Sequence, residues 1–250
     1  MGQGHAAEAQ LRVAVASNFS LAASEIAELF EQSADVEVQL SFASTGKLYA
    51  QILHGAPFDV FLSADSDKPL RLESEGRVVA NSRFTYATGA LVLWSADESY
   101  IQDGPAQLRA GEFRRLAMAN PRVAPYGLAA EQVLDALEVP AQVASRRVLG
   151  ENISQAYQFV ASGNAELGLV ARSQVMIGGR LQRGSAWPVP PLMHTAIKQD
   201  AVLLTNGSNE EAGRVFLAFL RSEPALRVLE DHGYVTAQEQ LLQPGMVMAP

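Results

Sequence analysis

Short apolar runs alternate with longer one-sided apolar stripes along most of this chain. Residues 13–16 are a compact apolar run that stops at Ser17-Asn18; Leu21, Ala22, Ile26, Leu29 and Phe30 then recur at helical spacing. The run reads as a buried strand and the stripe as an amphipathic helix. The same unit follows again. Residues 36–42 alternate apolar and polar positions as a strand does, end at Ala43-Ser-Thr-Gly46, and lead into a helical segment, 47–54, closed by Gly55. Residues 58–63 predict a third strand, and Ser66 caps a short helix that stops at Gly76.

Residues 83–94 are β-rich and too long for one small sheet, and Gly89 in their middle permits a bend, so they predict a crossing into a second lobe. Strands are expected there at 116–120 and 167–171, with a constrained loop at 121–127. Helices are expected at 128–137 and from Ile153 to just before Gly163. Residues 177–191 read as loop with one short element. A returning strand at 201–205 and helices at 210–221 and 224–232 finish the chain.

This alternation predicts a parallel-rich α/β architecture with helices on both faces of its sheets. Ligands of such folds sit at the carboxyl ends of strands, where loops lead into helix starts. Four loops of that kind carry small or turn-forming residues: Ser17/Asn18, Ser44/Thr45, Tyr126/Gly127 and Asn152/Ile153. Two belong to each lobe, which predicts a binding cleft between them. A helix start offers free N–H groups and the positive end of the dipole, and so accepts anions. Ser and Asn are also ordinary helix caps.

Composition narrows the chemistry. The 250 residues are 48% hydrophobic and 18% charged, as in a packed globular protein, and the net charge of −8 argues against nucleic acid as a partner. A bound anion would then be held by local dipoles. There is no cysteine, which excludes disulfides, thiolate metal sites and cysteine nucleophiles. No apolar run approaches the ~20 residues of a membrane span. Ala7-Glu-Ala9 has the small-x-small form of a signal-peptidase site without the apolar core that precedes one. The expectation is an exported protein whose signal has been removed, with residues 1–10 a disordered leader or cloning remnant.

Enzyme motifs are thin. Ser44-Thr-Gly-Lys47 matches S-x-x-K, the motif of a serine hydrolase with Ser44 as nucleophile and Lys47 beside it, but has no S-D-N or K-T-G partner. Gly46-Lys47 lacks the rest of a phosphate loop. The four histidines are isolated, and Asp59, Asp65 and Asp67 do not have calcium-loop spacing. No catalytic constellation emerges.

Several segments together resemble the periplasmic molybdate-binding proteins of bacterial ABC uptake systems, from about Leu11 to Val235. They are Ala16-Ser-Asn-Phe19, Ser41-Phe-Ala-Ser-Thr-Gly46, Gly55-Ala-Pro-Phe-Asp-Val-Phe-Leu-Ser-Ala-Asp65, Asn120-Pro-Arg-Val-Ala-Pro-Tyr-Gly127 and Ala165-Glu-Leu-Gly-Leu-Val170. The resemblance implies a type II periplasmic-binding-protein fold, with lobe 1 at 11–86 and 203–245 and lobe 2 at 87–202. It implies hinges near 87–89 and 198–202 and closure of the lobes around the ligand. That ligand is a tetrahedral oxyanion, molybdate or tungstate, with sulfate or chromate as same-fold alternatives. It is cargo rather than cofactor. Carried over by motif, the contacts fall on Ser17, Asn18 and Thr45 with Ser44 alongside, and on the backbone N–H groups of Tyr126 and Ile153. No cation site is implied, and Lys47 is expected to be a solvated helix residue. Some members carry a tyrosine after the Leu-Gly-x-Val strand where this chain has Ala171; a subgroup instead uses a tyrosine in the position of Tyr126. The family role is a monomer that delivers its anion to a membrane permease and catalyses nothing.

Overall fold

Residues 9–236 are described by a computed structural model. Strands β1 (Ala9–Ala16), β2 (Val36–Ala43) and β3 (Val60–Leu62) run parallel, with β1 in the middle. Leu11, Val13, Ala14, Val15 and Ala16 of β1 are all buried, as expected of a strand covered on both faces. One face packs on helix α1 (Ser20–Glu31) through Ala22, Ala23, Ile26 and Phe30. The other packs on α2 (Thr45–Leu53) and α3 (Asp67–Ser74) through Leu48, Ile52 and Leu72.

The expected long strand is two strands in two sheets. β4 (Phe84–Gly89) closes the first sheet and β5 (Leu91–Ser95) opens the second. The second sheet adds β6 (Leu116–Ala119), β7 (Arg147–Gly150) and β8 (Leu167–Ala171), which run parallel to one another. Its helices are α4 (Gly104–Ala110), α5 (Pro125–Ala136), α6 (Ala141–Ala144) and α7 (Ile153–Ala161). Its core gathers Leu93, Trp94, Met118, Val133 and Leu169.

Residues 177–191 hold more structure than one short element. β9 (Met176–Ile177) and β10 (Arg180–Leu181) form a hairpin over Gly178-Gly179, both at positive φ, and β11 (Ser185–Pro188) pairs with β5 at the sheet edge. The glycines read as loop markers are hairpin turn residues. The chain then returns as β12 (Ile197–Leu203), antiparallel to β3 and β4, followed by α8 (Glu210–Phe219) and α9 (Glu223–Asp231). β12 starts four residues ahead of the predicted strand because Gln199 and Asp200, polar in sequence, are fully buried and hydrogen-bonded.

The sheets are ordered β2-β1-β3-β12-β4 and β11-β5-β8-β6-β7. Sheet membership changes between Gly89 and Leu91 and again between Pro188 and Ile197, later than residue 87 and earlier than residue 203 respectively. Residues 1–8 of the expected leader and 237–245 of the expected first lobe lie outside the described residues. Among those described, no helix is long and apolar enough to cross a membrane.

Candidate functional site

The segment expected as a loop at 121–127 is half helix. Ala124 is extended, Pro125 is the first residue of α5, and Tyr126 and Gly127 follow in its first turn. Proline pre-sets φ for that position and has no N–H to satisfy there. Gly127 fits because a Cβ would run into the carbonyl of Ala119. The effect is to point the start of α5 at the first sheet.

Four helix starts meet in this way around a cavity of about 10 Å³. Ser17, Asn18, Ser44 and Thr45 line it from the first sheet, Tyr126 and Ile153 from the second, and none is more than 4% exposed. All six residues singled out in the sequence are brought together. The space is on the scale of one small ion.

Most helix starts at the cavity have no side-chain cap, a feature they share with α3, α6 and α9 elsewhere in the fold. No side chain caps the 3-10 turn Ser17–Phe19, nor α1, α2 or α5. Asn152 caps α7 by accepting from the N–H of Gln155 at 3.0 Å, which leaves those of Ile153 and Ser154. Two helices away from the cavity are capped in the ordinary way: Asp103 accepts from Ala106 N–H at 2.9 Å and Asn209 from Ala212 N–H at 3.1 Å. N–H groups in a first helical turn have no intrahelical acceptor, so those at the cavity are free to meet an anion.

Two hydroxyls add to them. Thr45 Oγ1 accepts from the N–H of Ala64 at 3.1 Å, so its own proton is free to be donated. Ser44 Oγ is buried and has no partner among the described residues. A buried polar atom without a partner in a cavity of donors is what an anion's oxygen would satisfy.

No lining side chain is charged. Lys47 points away, its Nζ 2.7 Å from Glu151 of the other lobe with both side chains largely solvated, in keeping with a surface helix residue. With its ammonium held there, the Ser44/Lys47 pair that a hydrolase needs does not form. Among the described residues no group of three or more His, Cys, Asp or Glu could hold a metal ion.

Behind the cavity lies a polar cluster that the sequence did not announce. Asn18 Nδ2 donates to Gln199 Oε1 at 2.7 Å and to the Tyr234 hydroxyl at 3.2 Å, so the Asn18 side-chain amide is engaged by β12 and the segment after α9. The Tyr126 ring reaches the same place, where a Cβ on Gly89 would collide with its hydroxyl. Burial above all, then the neighbouring Tyr234, raises the Tyr126 pKa well above that of a free phenol. Asn18 exerts a small opposing pull from beyond hydrogen-bonding geometry, and the Tyr126 hydroxyl is without a partner among the described residues. Ala171 is fully buried at the end of β8, with its N–H on Gln174 Oε1.

Comparison with known proteins gives the family. Residues 11–235 match the family described as bacterial extracellular solute-binding protein. The chain is 48% identical over 226 residues to the molybdate-binding protein ModA of Azotobacter vinelandii, covering 90% of each. It is 45% identical over 231 residues to that of Rhodobacter capsulatus, covering 92% of this chain and 90% of that one. The solved periplasmic molybdate-binding protein of Azotobacter vinelandii superimposes with a TM-score of 0.86 at 36% identity, over 90% of this chain and 98% of that one. The chain thus belongs to the bacterial extracellular solute-binding proteins, and among them to the molybdate-binding ModA family, with the type II periplasmic-binding-protein fold.

Proposed function

We propose that this protein binds molybdate or tungstate between its lobes, outside the cytoplasm, and hands it to the membrane permease of an ABC transporter. The observation that carries the reading is the convergence of helix starts without side-chain caps, from both sheets, on one charge-free cavity. The donors are the N–H groups of Asn18, Thr45, Tyr126 and Ile153, with the hydroxyls of Thr45, Ser44 and Ser17 beside them. Partial positive charge at several helix starts holds a dianion in a dry site without a counter-ion. Neutral donors in a fixed cage select by size, which favours molybdate and tungstate over the smaller sulfate. The close relatives named for molybdate support the choice of anion.

The anion is cargo, and the protein performs no chemistry on it. The lobes are residues 9–89 with 197–236, and residues 91–188; the two connections between them serve as hinges. In this reading the protein acts as a monomer. Calorimetric titration with molybdate, tungstate and sulfate tests the reading. Saturable binding of the first two at one site per chain is expected, with sulfate much weaker. No heat and no thermal stabilisation at millimolar molybdate or tungstate would overturn it.

A further inference from the structure

Two serines of the second lobe reach across the cleft to the turn that carries Ser17 and Asn18. Ser154 Oγ, in the first turn of α7, donates to the carbonyl of Ser17 at 3.0 Å. Ser173 Oγ, in the 3-10 turn that follows β8, donates to the carbonyl of Asn18 at 3.0 Å. The Tyr234 hydroxyl, on the segment bridged to β4 at Thr88 and Val235, lies 2.8 Å from the same carbonyl and 2.9 Å from Ser173 Oγ. Ser173, Asn18 and Tyr234 are buried.

A trans peptide points its C=O and N–H in opposite directions. The Ser17 carbonyl shares a peptide with the Asn18 N–H, and the Asn18 carbonyl shares one with the Phe19 N–H. A hydroxyl on the carbonyl therefore stands opposite whatever takes the N–H. Such a bond also polarises the amide and strengthens its N–H as a donor, since chained hydrogen bonds reinforce one another. Both hydroxyls belong to the lobe that must move, so they arrive only on closure.

We infer that Ser154 and Ser173 are positioning residues that latch the closed lobes and that Ser154, through the Ser17 carbonyl, also sets the donor strength of the Asn18 N–H. Their hydroxyls touch the turn from behind and not the ligand. The inference rests on the oxyanion reading above.

The test is to measure molybdate binding by S154A, S173A, the double variant and S154T beside the wild type, by calorimetry and by stopped-flow displacement with tungstate. Each alanine is expected to weaken binding about 3- to 10-fold, as for one lost hydrogen bond. The loss should appear as faster dissociation, with the association rate within twofold. S154T, which keeps the hydroxyl, should restore binding to within twofold, and the ligand-free melting temperature should not move. Unchanged dissociation rates in both alanine variants would overturn the latch. So would a ligand-free melting temperature lowered in step with affinity, which marks a merely structural role. A wild type that binds neither anion would overturn the oxyanion reading, and the latch with it.

Discussion

Replacing Gly46 with alanine separates binding from stability, because this glycine touches the other lobe and not the cavity. Its N–H donates to the carbonyl of Val123 at 2.9 Å, a bond that exists only while the lobes are together. A Cβ at Gly46 would stand 2.9 Å from that oxygen, 3.0 Å from Val123 Cα and 3.2 Å from its Cβ. Two of these three atoms are backbone and cannot swing aside, so the lobes must part. Overpacking of this kind costs roughly 1–3 kcal/mol, and a stretched N–H···O bond about 0.5–1.5 kcal/mol more. The closed form should lose about 1.5–4.5 kcal/mol, a fall in affinity of about 10- to 2,000-fold.

The ligand-free protein should respond in the opposite sense. Gly46 lies in the first turn of α2 and shows no positive φ, so alanine is the better helix former there by a fraction of the interior value of about 1 kcal/mol. With the lobes apart there is nothing for the new methyl to strike. Its melting temperature should rise by about 1–4 °C. Calorimetric titration with molybdate and a melting curve without it decide the matter. A dissociation constant within threefold of wild type would show that binding does not bring Gly46 against Val123. A loss of affinity together with a lower ligand-free melting temperature would show damage to α2 itself.

Thr45→Ala should weaken molybdate binding by about 1–3 kcal/mol, the value of a hydrogen bond to a charged group, and an unchanged dissociation constant would remove that side chain from the site. Tyr126→Phe should leave affinity within about threefold and stability equal or slightly higher, because the hydroxyl it removes is buried without a partner; a tenfold loss would place that hydroxyl on the anion. Burial raises the Tyr234 pKa from 10.0 to about 12. Between those values the folded state holds a proton that the unfolded state has lost, so stability is full below pH 10 and falls as pH rises to about 12. The fall for this residue is about 3 kcal/mol. Urea midpoints measured from pH 9 to 12 should drop across that window and drop less in Tyr234→Phe, and a flat profile would contradict the assignment.

The parts of the site that could be read from the sequence are local. Ser17-Asn18 and Ser44-Thr45 each end a recognisable strand and begin a recognisable helix, and that adjacency is what makes them ligands-in-waiting. Ile153 was legible for the same reason through Asn152. The start of α5 was hidden by Pro121, Pro125 and Gly127, which signal a loop by composition although Pro125 opens the helix and Gly127 lets it pack closely. Gln199, Ser173 and Tyr234 carry no local signal. Gln199 meets Asn18 across 181 positions of chain and Tyr234 meets it across 216, and only the folded topology makes those pairs neighbours. The side chain of Asn18 was out of reach for the same reason: its residue type suits an anion site, but its amide is committed to Gln199 and Tyr234.

On the proposed reading, uncapped helix starts let so acidic a chain hold an anion. Asp103 and Asn209 cap helices remote from the cavity, and a cap of that kind is worth about 0.5–2 kcal/mol of stability. At the cavity Ala16, Ser44 and Ala124 supply none, and Asn152 caps α7 through Gln155 N–H, leaving the N–H of Ile153. The fold forgoes that stability in the unliganded protein, and on the proposed reading the anion restores it by taking the N–H groups together. The donors are divided between two sheets, so neither lobe alone completes the set. Binding and closure are then one event, and contacts that never touch the ligand, such as Gly46 on Val123, contribute to affinity on the same footing as the donors themselves.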